Sequence, residues 1–344
     1  MTDTQTVRLA LIGAGRIGTN HARLVSHQVK GADLVGVVDP TSNAQSLAEE
    51  LGAEAFSKPL DVLSRKDIDG VIIATPARTH TDLVVQAVTA GKHVFVEKPM
   101  AVTLEDANRA TDAASSANKV LQVGFNRRFA AGFASARARI DAGDIGSPQL
   151  LRSLTRDPGP FTADPKKVPQ WTIFLETLIH DFDTLCFLNP GAEPVEVTAH
   201  ADCLAVPGAK DTGFLDTAVV TVRFDNGALG TAEASFSALY GYDVRGEAFG
   251  SQGMVTAGDV RSSDMLFYGK HGMAADTARA DTDLLSDAYK AEFQAFVDSI
   301  RHSTSSPVPG EAARTALLIA LGAIRSVETG ATVKLANIVR EDTN

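Results

Sequence analysis

The run VRLALIGAGRIG, residues 7–18, constrains this chain more than any other stretch. A short β-rich apolar run leads without a break into Gly13, Gly15 and Gly18. G-x-G-x-x-G spacing alone is a weak signal, because glycine-rich turns are common. Here a helical stretch follows, from Ile17 to about Val29. A second strand, DLVGVVD, then ends in Asp39, 21 residues after Gly18. Each part has a physical role in holding a dinucleotide. Gly13 permits the tight turn, Gly15 lets the backbone approach a pyrophosphate, and Gly18 allows close helix–strand packing. Arg16 and Ile17 open the helix whose free N–H groups would face the phosphates. Asp39 would accept hydrogen bonds from ribose hydroxyls and repel a 2′-phosphate, which favours NAD over NADP.

The alternation continues. GVIIATP (70–76) reads as a buried strand and THTDLVVQAVTAG as a helix stopped by Gly91. KHVFVEKP is a strand, TLEDANRATDAASSANK a helix with Thr103 as its cap, and VLQVGF another strand. Strands alternating with helices at these lengths predict a doubly wound parallel sheet over residues 1–124. Ligands of such sheets bind beyond the carboxyl ends of the strands. Thr75, Pro76, Glu97 and Lys98 lie at such ends, placed to touch the nicotinamide half of a cofactor. His80 is counted with them, although it and His93 suit packing or strand ends better than chemistry.

Composition narrows the function. A net charge of −10 argues against a nucleic-acid partner, because no basic excess neutralises phosphates. The two cysteines, Cys186 and Cys203, form no Cys-x-x-Cys pair and indicate neither zinc nor a disulfide framework. Such usage fits a reducing cytoplasm. No apolar run approaches a membrane span, and the N-terminus lacks a signal-peptide pattern.

After Phe125 the pattern changes, and 125–344 is expected to form one second domain. A helix runs to about Ala142, LLRSLTRDP follows as a strand, and 157–169 is a loop. From Glu193 to Tyr268 the chain is mostly β, with a DNG hairpin turn at 225–227; helices over about 283–302 and 311–329 close it. The expected fold is α/β: a Rossmann domain, then an α/β domain with a large, open, mostly antiparallel sheet. The sheet's uncovered face would need a partner, so homo-oligomerisation through it is expected.

Within the second domain FLETLIHDFD, residues 174–183, reads as an amphipathic α-helix. Leu175, Leu178, Ile179, Phe182, Leu185 and Cys186 form an apolar stripe. Glu176 and His180 are four apart and stack on its flank, as either a solvated surface pair or chemistry. A metal-binding reading of His-Asp lacks partner histidines, so no metal is expected.

GAGRIG, ATPARTH, VFVEKPMA, QVGFNRRF, FLETLIHDFD and YGYDVRGEAFGSQG occur in that order. Together they resemble the Gfo/Idh/MocA oxidoreductases, and within them the inositol dehydrogenases, over nearly the whole chain. The resemblance implies NAD as cofactor, a polyol or sugar substrate, and dimers or tetramers. It implies that Lys98 touches the reacting hydroxyl, that the bond to Pro99 is cis, and that His180 is the acid/base. Arg127 would line the cyclitol pocket, with Tyr240 and Tyr242 nearby. Typical inositol dehydrogenases carry Asp four residues before the histidine; this chain carries Glu176. From residue chemistry alone, Asp157 suits hydroxyl binding or a loop start, and Trp171 suits sugar stacking or packing. Of Arg127 and Arg128, one is expected to pair with the acidic helix while Arg127 serves substrate.

The chemistry follows. Imidazole titrates near neutrality, so His180 is the natural base for a secondary hydroxyl, with Glu176 orienting the ring or binding a neighbouring hydroxyl. Lys98 would stabilise developing alkoxide charge. The expected reaction is oxidation of a myo- or scyllo-inositol-type hydroxyl, or of a related sugar, to a ketone. The alternatives are an aldose or glycoside dehydrogenase and a non-catalytic sugar or NAD sensor.

Overall fold

Strand–helix alternation organises the first third of the chain. The computed structural model describes residues 6–342. Strands β1 (Val7–Ile12), β2 (Ala32–Val38), β3 (Glu54–Phe56), β4 (Gly70–Ile73), β5 (His93–Val96) and β6 (Leu121–Val123) form one sheet in the order β3-β2-β1-β4-β5-β6. Every pairing is parallel, as helical crossovers require. The crossovers are α1 (Arg16–Gln28), α2 (Asn43–Leu51), α3 (Pro59–Leu63), α4 (His80–Thr89) and α5 (Leu104–Ser116). Both sheet faces are covered, so Val71, Ile72, Ile73, Val94, Phe95 and Val96 are fully buried. Thr103 caps α5 as expected, its hydroxyl accepting the Asp106 N–H at 3.1 Å. The strand expected to reach residue 76 stops at Ile73, which frees Thr75 and Pro76 for a turn.

The second sheet is mixed. After α6 (Ala131–Asp141) come β7 (Pro148–Pro158) and α7 (Leu178–Phe187), the latter entered through a π-turn at Ile173–Thr177. Strands β8 (Pro194–Asp202), β9 (Thr217–Phe224), β10 (Leu229–Ala238), β11 (Asp243–Gly250) and β12 (Met254–Ala257) follow. β13 (Arg261–Gly269) and β14 (Gly272–Thr277) make a separate hairpin, whose second strand lies beyond the β region expected to end at Tyr268. Next come α8 (Asp281–Leu284), α9 (Ser286–His302), α10 (Gly310–Thr329), β15 (Val333–Lys334) and α11 (Leu335–Asp342). The seven strands run β12-β11-β7-β10-β9-β8-β15, and only β7–β10 is a parallel pair.

Burial alternates strictly along β9 and β10, so one face of this sheet is core. Helices sit on that face: a Cβ at Gly230 would meet Leu185 of α7 at 3.1 Å, and one at Gly246 would meet Phe133 of α6 at 2.6 Å. The other face exposes Leu150, Leu229, Phe249 and Met254 beside the Arg152–Glu233 ion pair.

The packing divides the chain differently from the expected single cut at 124. One unit runs to Asn126 and takes back Asp287–Arg314; the other holds Arg127–Ser286 and the chain from Thr315 onward. The reason is the apolar face of α9. Phe293, Phe296, Val297 and Ile300 join the core of the first unit, with Phe293 and Phe296 at 4.5 Å and 6.0 Å from the Phe95 ring.

Candidate active site

In the first unit the glycine turn has the geometry a dinucleotide needs. Gly13 sits at φ +103°, and a Cβ there would lie 2.6 Å from the Ala74 carbonyl oxygen. A Cβ on Gly18 would fall 1.9 Å from the Gly13 oxygen, so only glycine lets α1 approach the turn. A Cβ on Gly15, by contrast, would meet no protein atom within 4 Å. Gly15 is the N-cap of α1 and opens onto a cleft of about 840 Å³, also lined by Gly13, Asp39, Thr75 and Pro76. These are the features by which the residues present fit a dinucleotide.

Asp39 is fixed at the edge of that cleft. Its Oδ2 accepts the Ala14 N–H at 2.8 Å, and its Oδ1 accepts the Thr41 N–H and hydroxyl at 2.9 and 2.6 Å. Burial acts to raise its carboxyl, but these bonds outweigh it and hold Asp39 below the usual carboxylate range. Arg16 is exposed at the start of α1. Ile17, expected at the cofactor, packs against the first unit's hydrophobic core.

At the end of β5, Glu97 is buried and Lys98 half-buried, and the Lys98–Pro99 bond is cis. Glu97 Oε1 lies 2.6 Å from His21 Nε2, and its Oε2 accepts the Lys98 N–H at 3.0 Å. Its carboxylate packs over Gly124, where a Cβ would come within 3.2 Å. His80, expected among the cofactor residues, is held against the main chain. It is 1% exposed, and its ring nitrogens are engaged by backbone oxygens of Pro99 and Thr75.

In the second unit the helix of His180 departs from a regular α-helix. The Leu178 N–H donates five residues back, to Ile173, so the segment opens with one wide turn. The flank on which Glu176 and His180 were expected to stack is therefore not one α-helical face: Glu176 is exposed in the π-turn, and His180 lies in α7. Leu178, Ile179, Phe182 and Leu185 form the expected buried stripe, while Leu175 and Cys186 are half-buried. From Thr177 to Leu185 every residue except His180 is buried.

The buried acids of that helix are neutralised. Asp181 accepts from Arg127 Nη1 at 2.7 Å and from the Ser153 and Thr155 hydroxyls at 2.6 Å each. Asp183 accepts from Arg128 Nε at 2.9 Å. Both arginines, not one, pair with the acidic helix. Arg127, expected at the substrate, is 3% exposed, with Nη1 on Asp181 and Nη2 on Thr155. Charge pairing thus accounts for the His-Asp-Phe-Asp pattern.

Two residues expected at the substrate, Tyr242 and Asp157, meet in the structure. The Tyr242 hydroxyl donates to Asp157, and the charges of Arg127 and Asp281 also act on it. Burial first, and then the Asp157 charge, push the Tyr242 phenol well above its ordinary value. Trp171 is half-buried, and its ring centroid lies 6.1 Å from that of Phe174.

With this geometry in hand, the matches to known proteins are specific. Residues 7–125 match the model of an oxidoreductase family with an NAD-binding Rossmann fold, and 133–256 match the GFO/IDH/MocA C-terminal domain. The chain belongs to the Gfo/Idh/MocA oxidoreductase family. Among relatives of this family member, the scyllo-inositol 2-dehydrogenase (NAD(+)) of Bacillus subtilis is 37% identical over 331 residues, 96% of each chain. The myo-inositol 2-dehydrogenase of Thermotoga maritima is 34% identical, covering 97% of this chain and 100% of the relative. A crystal structure of scyllo-inositol dehydrogenase from Lactobacillus casei, with NAD(H) and scyllo-inositol bound, superposes with a TM-score of 0.92. That structure is 27% identical and covers 96% of this chain and 100% of its own.

Two residues of this Gfo/Idh/MocA chain escaped the sequence reading. His21 stands at a core position of α1, between the buried Gly18 and Val25, and a polar residue in that stripe was the available signal. Asp281 carried none, because only the fold brings it to Tyr242.

Proposed function

We propose that this protein oxidises a secondary ring hydroxyl of myo- or scyllo-inositol to a ketone, with NAD as hydride acceptor. The observation that carries the reading is His180, the one residue left accessible in an otherwise buried helical stretch. The full-length similarity to inositol 2-dehydrogenases supports the substrate class. Gly13, Gly15, Asp39, Thr75 and Pro76 would hold the cofactor along their cleft. When bound, NAD supplies the acceptor for the hydride leaving the carbinol carbon.

The chain's own residues handle the proton and the oxygen. His180 Nδ1 is buried, so Nε2 is the atom that takes the hydroxyl proton. Lys98, at the end of β5, would serve as the donor that stabilises developing alkoxide charge. Arg127 acts through Asp181, fixing the helix that carries His180. Asp157 and Tyr242 bind other ring hydroxyls, Trp171 borders the ring, and Glu176 tunes which isomer fits. We further propose a cytoplasmic homo-oligomer, a dimer or tetramer, formed through the exposed face bearing Leu150, Leu229 and Phe249. Among the described residues no helix is long and apolar enough to cross a membrane.

The test is a panel of inositol isomers, aldoses and glycosides with NAD and with NADP, followed by NADH or NADPH absorbance. NAD-dependent turnover of myo- or scyllo-inositol is expected. Turnover of aldoses or glycosides alone would reassign the substrate, and cofactor binding without turnover on any polyol would make the protein a sensor.

A further inference from the structure

His80 stands at the first position of α4, directly after the turn Ala77–Thr79, and is 1% exposed. Its Nδ1 lies 2.8 Å from the Pro99 carbonyl oxygen and its Nε2 lies 2.7 Å from the Thr75 carbonyl oxygen. A carbonyl oxygen only accepts, and a neutral imidazole has one N–H. Two such contacts therefore need two N–H groups. We propose that His80 is a positioning residue, a doubly protonated imidazole that ties the Thr75 turn to the Lys98–Pro99 turn and fixes the root of Lys98. The proposal rests on the reading of Lys98 as the group that meets the reacting oxygen.

Local rules oppose this placement, which makes it informative. A cation at a helix N-terminus meets the positive end of the helix dipole. The compensation comes from Glu97, 6% exposed at the end of the neighbouring strand β5. Burial would raise its carboxyl, but the His21 hydrogen bond and then the charges of His21, Lys98 and His80 hold it below its ordinary value. An ionised Glu97 is the counter-charge that a buried imidazolium requires.

The arrangement brackets Lys98 on both sides. Its own N–H is held by Glu97 Oε2, and the carbonyl of the next residue is held by His80. The same ring reaches back to the turn at the end of β4. The long, flexible lysine side chain thus swings from a main chain that cannot shift along the strand ends. Reactive geometry of this kind is sensitive to displacement of about 1 Å, which can cost about 10²-fold in rate.

The direct test is nitrogen NMR of the full-length protein labelled with ¹⁵N-histidine, with His80→Gln used to assign its signals. Two ring nitrogens with protonated shifts are expected for His80; one bare nitrogen with a strong downfield shift would overturn the proposal. That spectrum is taken on the unsubstituted chain, so it decides even if the variant fails to fold. In kinetics with NAD and inositol, His80→Gln keeps a donor for only one carbonyl. It should lower kcat about 10²-fold while NADH affinity holds. In a Lys98→Ala background, measured with excess enzyme, the same change should cost nothing further, because the two residues act as one unit. Equal losses in both backgrounds, tracking a lower melting temperature, would reduce His80 to a structural role. Normal turnover in Lys98→Ala would remove the reading of Lys98 and leave the NMR result standing, so the two failures are distinct.

Discussion

The glycine turn at residues 13–18 and the helix that carries His180 are both compact, polar-sided and central to the proposed chemistry, yet they are held in opposite ways. In the turn, each requirement is met close by in the sheet. The hydrogen at Gly18 leaves room for the Gly13 oxygen, and Asp39 is fixed by Ala14 and Thr41. In the helix, the requirement is met from far along the chain. Asp181 and Asp183 are buried only because Arg127 and Arg128, 54 and 55 residues away, neutralise them. Backbone shape specifies the first region and charge compensation the second. Substitutions should therefore fail differently in each.

The sharpest separation is kinetic. His180→Ala removes the proton acceptor but leaves the buried stripe of the helix intact, so kcat should fall about 10²–10⁴-fold. The melting temperature and NADH binding should hold. Retention of most activity would show that the accessible position in this helix is not the base, and the contrast between the regions would lose its functional meaning.

Stability should break next, and only in the helix. Arg127→Met leaves the Asp181 carboxylate buried without its cation, which should cost about 3–5 kcal/mol in denaturant unfolding. Adding Asp181→Leu should recover most of that loss, because the uncompensated charge is then gone. If the double variant is no more stable than the single one, charge compensation is not what holds the helix.

The smallest expected effect on the fold comes from the turn. Gly15→Ala places a methyl where no protein atom lies within 4 Å, so stability should change by no more than about 0.5 kcal/mol. The methyl would occupy space a pyrophosphate needs, and NAD affinity should fall about tenfold or more in a fluorescence titration. Unchanged affinity would mean that the open side of Gly15 does not face the phosphates.

The sequence by itself determined what depends on neighbours along the chain. The Rossmann alternation, the steric roles of Gly13 and Gly18, the Thr103 cap and the apolar stripe of α7 all follow from periodicity and spacing within some twenty residues. Asp39 belongs with them, because the strand that precedes it fixes its distance from Gly18. Tertiary structure decided everything that depends on what an element packs against. The pairing of both arginines with α7, the burial of His21 against Glu97, the two carbonyls at His80, the approach of Asp281 to Tyr242 and the return of α9 to the first unit are of this kind. The π-turn before Leu178 belongs here too, since nothing in the 3.6-residue pattern marks one extra residue in a turn. A carboxylate, an imidazole or an amphipathic face carries its chemistry in the sequence, but its partner is chosen by burial, which penalises every charge and apolar surface left unmatched.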